Sequence, residues 1–138
     1  MSHVVTIKLS LADLPTIAAA CQRLGWSLIE NQRTYRWFGT SVGDHPLPDG
    51  MTEADLGHCS HAIRVPGARY EIGLRQTSTG YLPVYDYWQS GGLPENAGDM
   101  LAQSYATARA TQQLRRQGYT VREQRQTNGN IRLIATRA

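Results

Sequence analysis

Cysteine is scarce in this chain. Cys21 and Cys59 are the only two in 138 residues, too few for the disulfide framework of a small secreted domain. Cys21 falls at helical spacing with Leu14, Ile17 and Leu24 and reads as a small core side chain, so two free thiols and a cytoplasmic protein are expected. No apolar run approaches the ~20 residues that a membrane span requires, and the N-terminus lacks the charged and then apolar segments of a secretory signal. Strong charge is missing as well: the net charge is +3 and the pI about 9.1, well short of a protein that coats nucleic acid. Lysine is almost absent, with Lys8 alone against thirteen arginines. The planar fork of arginine suits phosphate and carboxylate, yet most of these arginines alternate along predicted strands as a solvated face would, and a GC-rich coding sequence accounts for the bias.

Motifs of high chemical specificity are lacking too. Gly39, Gly43 and Gly50 are spread without the close spacing that cradles phosphates. His58, Cys59 and His61, with His45 upstream, form one tight cluster without the second pair of ligands that structural zinc sites use. A polar surface loop is the better reading, and no metal or cofactor is expected. Asp86, between Tyr85 and Tyr87, is the one acid in an aromatic setting. Such a carboxylate can act as an acid or base if its pKa is raised, which leaves a small enzyme using Asp86 as one alternative. Aspartates that cap a turn or pair with arginine are several times commoner.

What is present is a repeated supersecondary signal. Arg23-Leu24-Gly25-Trp26 and Arg116-Gln117-Gly118-Tyr119 both place glycine just past the last turn of a helix and an aromatic at the start of a strand. Before the first copy, alternation over His3–Leu9 predicts a strand. Asp13 as N-cap and Pro15 in the first turn then open a helix over 14–24. Trp26–Asn31 and Thr34–Gly39 are expected as two strands joined by a tight turn. Before the second copy, Tyr70–Arg75 and Tyr81–Trp88 flank Thr77-Ser78-Thr79-Gly80 as a hairpin. A helix follows over 97–117 with Met100, Thr107, Ala110 and Leu114 on its inner line. Tyr119–Arg125 and Ile131–Thr136 then flank Asn128-Gly129, the strongest short hairpin signal in the chain. The expected fold is α+β in one domain, 1–138: an antiparallel sheet with two helices on one face, built from two β-α-β-β units related by a pseudo-two-fold. Thr40–Ser60, rich in acid, proline and glycine, reads as a long surface excursion.

Several of these segments also resemble a known family. Met1-Ser2-His3 before a strand, Tyr70-Glu71-Ile72-Gly73-Leu74-Arg75 ahead of Gly80-Tyr81 and Asp86-Tyr87-Trp88, Gln103-Ser104-Tyr105-Ala106, and Gln117-Gly118-Tyr119 before Gly129-Asn130-Ile131-Arg132-Leu133 are similar to the hypothetical chloroplast reading frame number thirty-five. That uncharacterised family has plastid, cyanobacterial, bacterial and phage members. The resemblance covers most of the chain outside Thr40–Ser60 and implies a small domain of unknown function, with no catalytic residues to carry over.

Binding is the more economical function. A sheet with both helices on one face leaves the other free, and Tyr35, Trp37, Tyr70, Tyr81, Tyr85, Tyr87 and Trp88 are enough aromatics to populate it. Interleaved with Arg36, Arg64 and Arg75, they would grip a protein partner or a small anionic, nucleotide-like ligand. Single-stranded nucleic acid on the same face is the alternative, disfavoured by the modest charge. A homodimer through exposed aromatics is a further form of protein binding. Alternation places Tyr85 and Tyr87 on one face and Asp86 and Trp88 on the other. The expected contact surface is therefore Arg75, Tyr85, Tyr87, Trp88, Arg36 and Arg64, with Thr40–Ser60 at its rim.

Overall fold

The computed structural model describes residues 4–6, 11–37, 52, 55–87, 91–128 and 130–137. Nine elements follow in order: β1 (Val4–Thr6), α1 (Leu14–Leu24), β2 (Ser27–Ile29), β3 (His61–Arg64), β4 (Glu71–Thr77), β5 (Gly80–Asp86), α2 (Ala97–Arg116), β6 (Tyr119–Arg125) and β7 (Ile131–Arg137). This is an α+β fold with antiparallel pairing throughout. The strands form a five-stranded sheet in the order β1-β5-β4-β3-β2 and a separate ribbon, β6-β7. Among the described residues no helix is long and apolar enough to cross a membrane.

Local chemistry explains α1. Asp13 sits in extended backbone and its carboxylate accepts the Thr16 amide, proline occupies the first turn, and Gly25 closes the helix in the left-handed region at φ 76°. Gly118, one residue beyond the cap of α2, has φ 91°, so both glycines of the repeated signal take the conformation expected of them. Ile17, Ala20 and Cys21 of α1 and Ala97, Leu101 and Tyr105 of α2 pack on Ile63, Ile72, Leu74 and Tyr85 in one cluster. Both helices therefore cover the same face of the sheet.

Three features differ from the sequence reading. β2 is not half of a hairpin with Thr34–Gly39: it pairs with β3 in the register Leu28↔Ile63, and Thr34 makes only one isolated bridge, to His58. Asn31, in the left-handed region at φ 65°, turns the chain off the sheet, and Tyr35–Trp37 cross over it instead. The two units consequently differ, because β2 joins the main sheet whereas β6 pairs only with β7. The buried line of α2 also runs through Leu101, Ser104, Tyr105, Ala108 and Thr111; of the expected line Thr107 is buried, whereas Met100, Ala110 and Leu114 are only half-buried. Small and hydroxyl side chains take that line because α1 lies against it, with Ser104 Oγ donating to the Ala20 carbonyl at 2.8 Å.

The third difference matters most for function. The face opposite the helices is covered. Tyr35, 4% exposed, packs there with Leu56, Ala62 and Val84, and Trp37 and Cys59 border the same cluster. Gly73 of β4 makes room for it, since a Cβ at that position would lie 2.3 Å from the Tyr35 ring. The sheet therefore has two packed faces rather than one free one.

Candidate functional site

The sidedness of β4 positions a polar cluster at one end of this covered face. Ile72 and Leu74 point to the helices, so alternation sends Glu71, Gly73 and Arg75 to the other side. Glu71 is 3% exposed and is surrounded by donors. Its Oε1 accepts the Arg36 amide at 3.0 Å and Gln32 Nε2 at 3.1 Å. Its Oε2 accepts Arg64 Nε at 3.0 Å. The Glu71 amide in turn donates to the Arg36 carbonyl at 2.9 Å, and Arg36 Nε stands 3.5 Å from the carboxylate. Burial alone would raise the Glu71 pKa. The Arg36 amide, the Gln32 and Arg64 side chains and the Arg36 charge outweigh it and hold the carboxyl below its ordinary range.

This clamp fixes Tyr35–Trp37 beside the turn that connects β3 to β4. Between them lies a recess of about 550 Å³ lined by Tyr35, Arg36, Trp37, Ala68, Arg69 and Tyr70. The turn is tied down on its far side, where the Arg69 and Tyr70 amides both donate to the Gly91 carbonyl, at 2.7 and 3.1 Å. Gly91 is required there because a Cβ would fall 1.9 Å from the Tyr70 ring. The recess thus brings the half-buried aromatics Trp37 and Tyr70 together with two arginines, over the buried Tyr35. Arg36 is engaged by Glu71, while Arg69 is exposed and has no acidic partner among the described residues.

The residues expected to form a contact surface are divided by this arrangement. Arg36 and Arg64 come together on Glu71. Arg75 lies on the same side of β4 but pairs with Asp55 at 3.8 Å. Tyr85, 1% exposed, is interior, and its hydroxyl donates to the Glu95 carbonyl at 2.7 Å and accepts the Gly98 amide at 3.1 Å. Tyr87 is half-buried against the helix-side cluster, so these two tyrosines do share a face, and it is the one the helices occupy. Trp88 lies outside the described residues, as does most of Thr40–Ser60. Asp86 is fully buried on the opposite side of β5.

The cluster weighed for metal binding is turned toward the 31–34 segment. Cys59 Sγ contacts the Gln32 carbonyl at 3.2 Å and His61 Nδ1 accepts the Asn31 amide at 2.9 Å. No three His, Cys, Asp or Glu side chains gather as a cation site among the described residues. Sequence reasoning missed Gln32, Arg69 and Glu71. Pro66-Gly67 announced a turn beside Arg69, but nothing local shows that Tyr35–Trp37 would fold against it.

Comparison with known proteins adds one finding. Residues 51–134 match the model of a domain family described as a protein of unknown function, DUF1257. Neither the curated proteins nor the solved structures contain a match to the chain.

Proposed function

The chain belongs to the DUF1257 family, and from that starting point we propose that it is a non-catalytic binding protein whose ligand is a small anion carrying a planar ring, such as a nucleotide. One observation carries the reading: the recess at the end of the sheet is lined by the half-buried aromatics Trp37 and Tyr70 together with Arg36 and Arg69, and Tyr35 lies buried beneath it. A volume near 550 Å³ suits a nucleotide-sized molecule, since ligand pockets commonly span ~300–1,000 Å³. Trp37 and Tyr70 offer ring surface for a base, and the Arg69 guanidinium, without an acidic partner among the described residues, offers the bidentate fork that phosphate accepts. Asp86, by contrast, has no exposed surface and is poorly placed to exchange a proton with a dissolved substrate.

Titration calorimetry with adenosine, guanosine and uridine monophosphates, and with ribose phosphate for comparison, tests the proposal. A nucleoside monophosphate should bind saturably and ribose phosphate at least about tenfold more weakly, the difference of ~1.4 kcal/mol being within reach of one stacked ring. Arg69→Ala should weaken binding by a similar factor and leave the melting temperature unchanged, because the side chain is exposed. Absence of binding up to millimolar nucleotide, or equal binding by Arg69→Ala, overturns the assignment.

A further inference from the structure

Charge is distributed very unevenly along this chain. Residues 101–138 carry seven arginines and a single carboxylate, Glu123, whereas the first hundred carry ten acidic side chains against seven basic ones. The later stretch builds most of α2 and the β6–β7 ribbon, and all seven of its arginines are exposed. Its one carboxylate is already engaged: Glu123 makes a two-pronged ion pair with Arg23 of α1. That hydrogen bond outweighs burial and, with the nearby charges of Arg23, Arg125 and Arg115, keeps its carboxyl below the ordinary range. Arg109, Arg116, Arg122 and Arg132 have no acidic partner among the described residues.

Register shows where that charge points. Directly opposed residues share a face in an antiparallel pair, so Val121, Ala135, Glu123 and Leu133 lie together, and the Glu123–Arg23 pair turns that face toward the helices. Thr120, Arg122 and Gln124 on β6 and Arg132 and Thr136 on β7 lie on the opposite face, and all five are exposed. The register Gln124↔Arg132 and Arg122↔Ile134 places the two arginines diagonally on one surface with no acid between them. Like charges so placed repel, and a face made only for water would intersperse both signs.

We propose that this outward face of the β6–β7 ribbon binds double-stranded DNA in the major groove. The groove is about 12 Å wide and admits a two-stranded ribbon, and seven-residue strands reach about 23 Å at ~3.3 Å per residue. Arginine and glutamine are the side chains whose paired donors and acceptors match guanine and adenine edges there, while threonine serves phosphate or base. Arg116 at the end of α2, exposed and without an acidic partner among the described residues, adds positive charge near the start of the ribbon. The deep, narrow major groove of duplex RNA does not admit such a ribbon, so the proposal commits to DNA. It is independent of the nucleotide recess, which lies on other elements.

The test is fluorescence anisotropy of the full chain with a labelled 25-base-pair DNA duplex at about 50 and 200 mM salt, alongside the matching RNA duplex and vesicles containing phosphatidylserine. DNA should bind with an affinity that falls steeply with salt, and at least about tenfold more tightly than RNA. R122A and R132A should each weaken DNA binding several-fold and together at least about tenfold, whereas R33A, which removes the same charge elsewhere, should change it less than about twofold. R122K/R132K keeps charge and fold while losing the guanidinium fork, and should reduce the preference for DNA over RNA with little change in salt dependence. The proposal is overturned if DNA does not bind at 50 mM salt, if RNA or vesicles bind as tightly, or if R33A costs as much as R132A.

Discussion

The Tyr85 hydroxyl on β5 accepts the backbone N–H of Gly98, at 3.1 Å, in the first turn of α2. Asn96 makes no capping bond of its own, so an amide that a helix start leaves without an internal partner is satisfied by a strand side chain. The same hydroxyl donates to the Glu95 carbonyl, at 2.7 Å, and so joins the sheet to the start of the helix. Tyr85→Phe keeps the ring and loses both bonds. It should cost about 1–2 kcal/mol, the loss of a cap together with a buried unpaired amide, whereas Tyr85→Ala should cost about 3–5 kcal/mol. Chemical denaturation of the two variants provides the measurement, and equal stability of Tyr85→Phe and the parent chain would refute the capping role.

Gly73 and Tyr35 form the second relationship open to test. A methyl group on Gly73 would meet the Tyr35 ring at 2.3 Å, too close to be absorbed without displacing the ring. Gly73→Ala should therefore destabilise by about 1–3 kcal/mol. In a Tyr35→Ala background the clash disappears, so the added cost of Gly73→Ala should fall close to zero, and the double-mutant cycle should return most of that energy as coupling. Additive effects would mean that the ring does not rest on this glycine.

Glu71 supplies a pH dependence with a defined sign. Its folded-state pKa lies below the ordinary 4.5, so its contribution is fully present above that value and is lost as pH falls through the lower folded-state value. Glu71→Gln should destabilise at pH 7 by about 1.5–3 kcal/mol, as expected for charge-assisted bonds at a buried acceptor. The deficit should narrow as pH drops below 4.5. Urea midpoints of both proteins between pH 3 and 7 measure it, and a constant difference across that range would contradict the assignment.

Thiol reactivity offers a third check on packing. Burial pushes the Cys21 thiol up to about 12. Burial and the Glu71 charge push Cys59 up to about 11, against the opposing hydrogen bond from Leu74 and charge of Arg33. Since the thiolate is the reactive form, iodoacetamide at pH 8 should modify the native protein slowly, Cys59 before Cys21, and should label both promptly in guanidinium without reductant. Rapid native labelling of Cys21 would place it outside the core.

The parts of the fold legible in the sequence are those whose cause is local. Asp13, Pro15 and Gly25 define α1 within a dozen residues, Asn128 lies in the turn that follows β6, and Thr77 pairs with Gly80 across a two-residue turn. Tyr35 and Trp37 were readable as aromatics of one segment, but not as a cover for the second face. That depends on Gly73, nearly forty residues later, on the Arg36–Glu71 exchange and on Asn31 leaving the sheet. Alternation says which residues share a face and is silent about which face is covered, so the burial of Tyr85 is not legible in it. Arg36 and Arg64 were named without the carboxylate that gathers them, since Glu71 sits between apolar residues in the pattern of an ordinary strand.

The contact between Tyr35–Trp37 and Gly57 has a consequence for how this protein tolerates change. The Tyr35 amide donates to the Gly57 carbonyl at 3.0 Å, and the Trp37 indole lies where a side chain on Gly57 would be. Tyr35–Trp37 and Gly57, about twenty positions apart in the chain, are therefore held together at one fastened point. Once two chain ends are held together, lengthening what joins them costs only the logarithm of length, about 0.6 kcal/mol for each doubling. The fastening of Tyr35–Trp37 at Gly57 therefore holds the cover of the second sheet face at a closure cost that depends only weakly on how many residues join the two points.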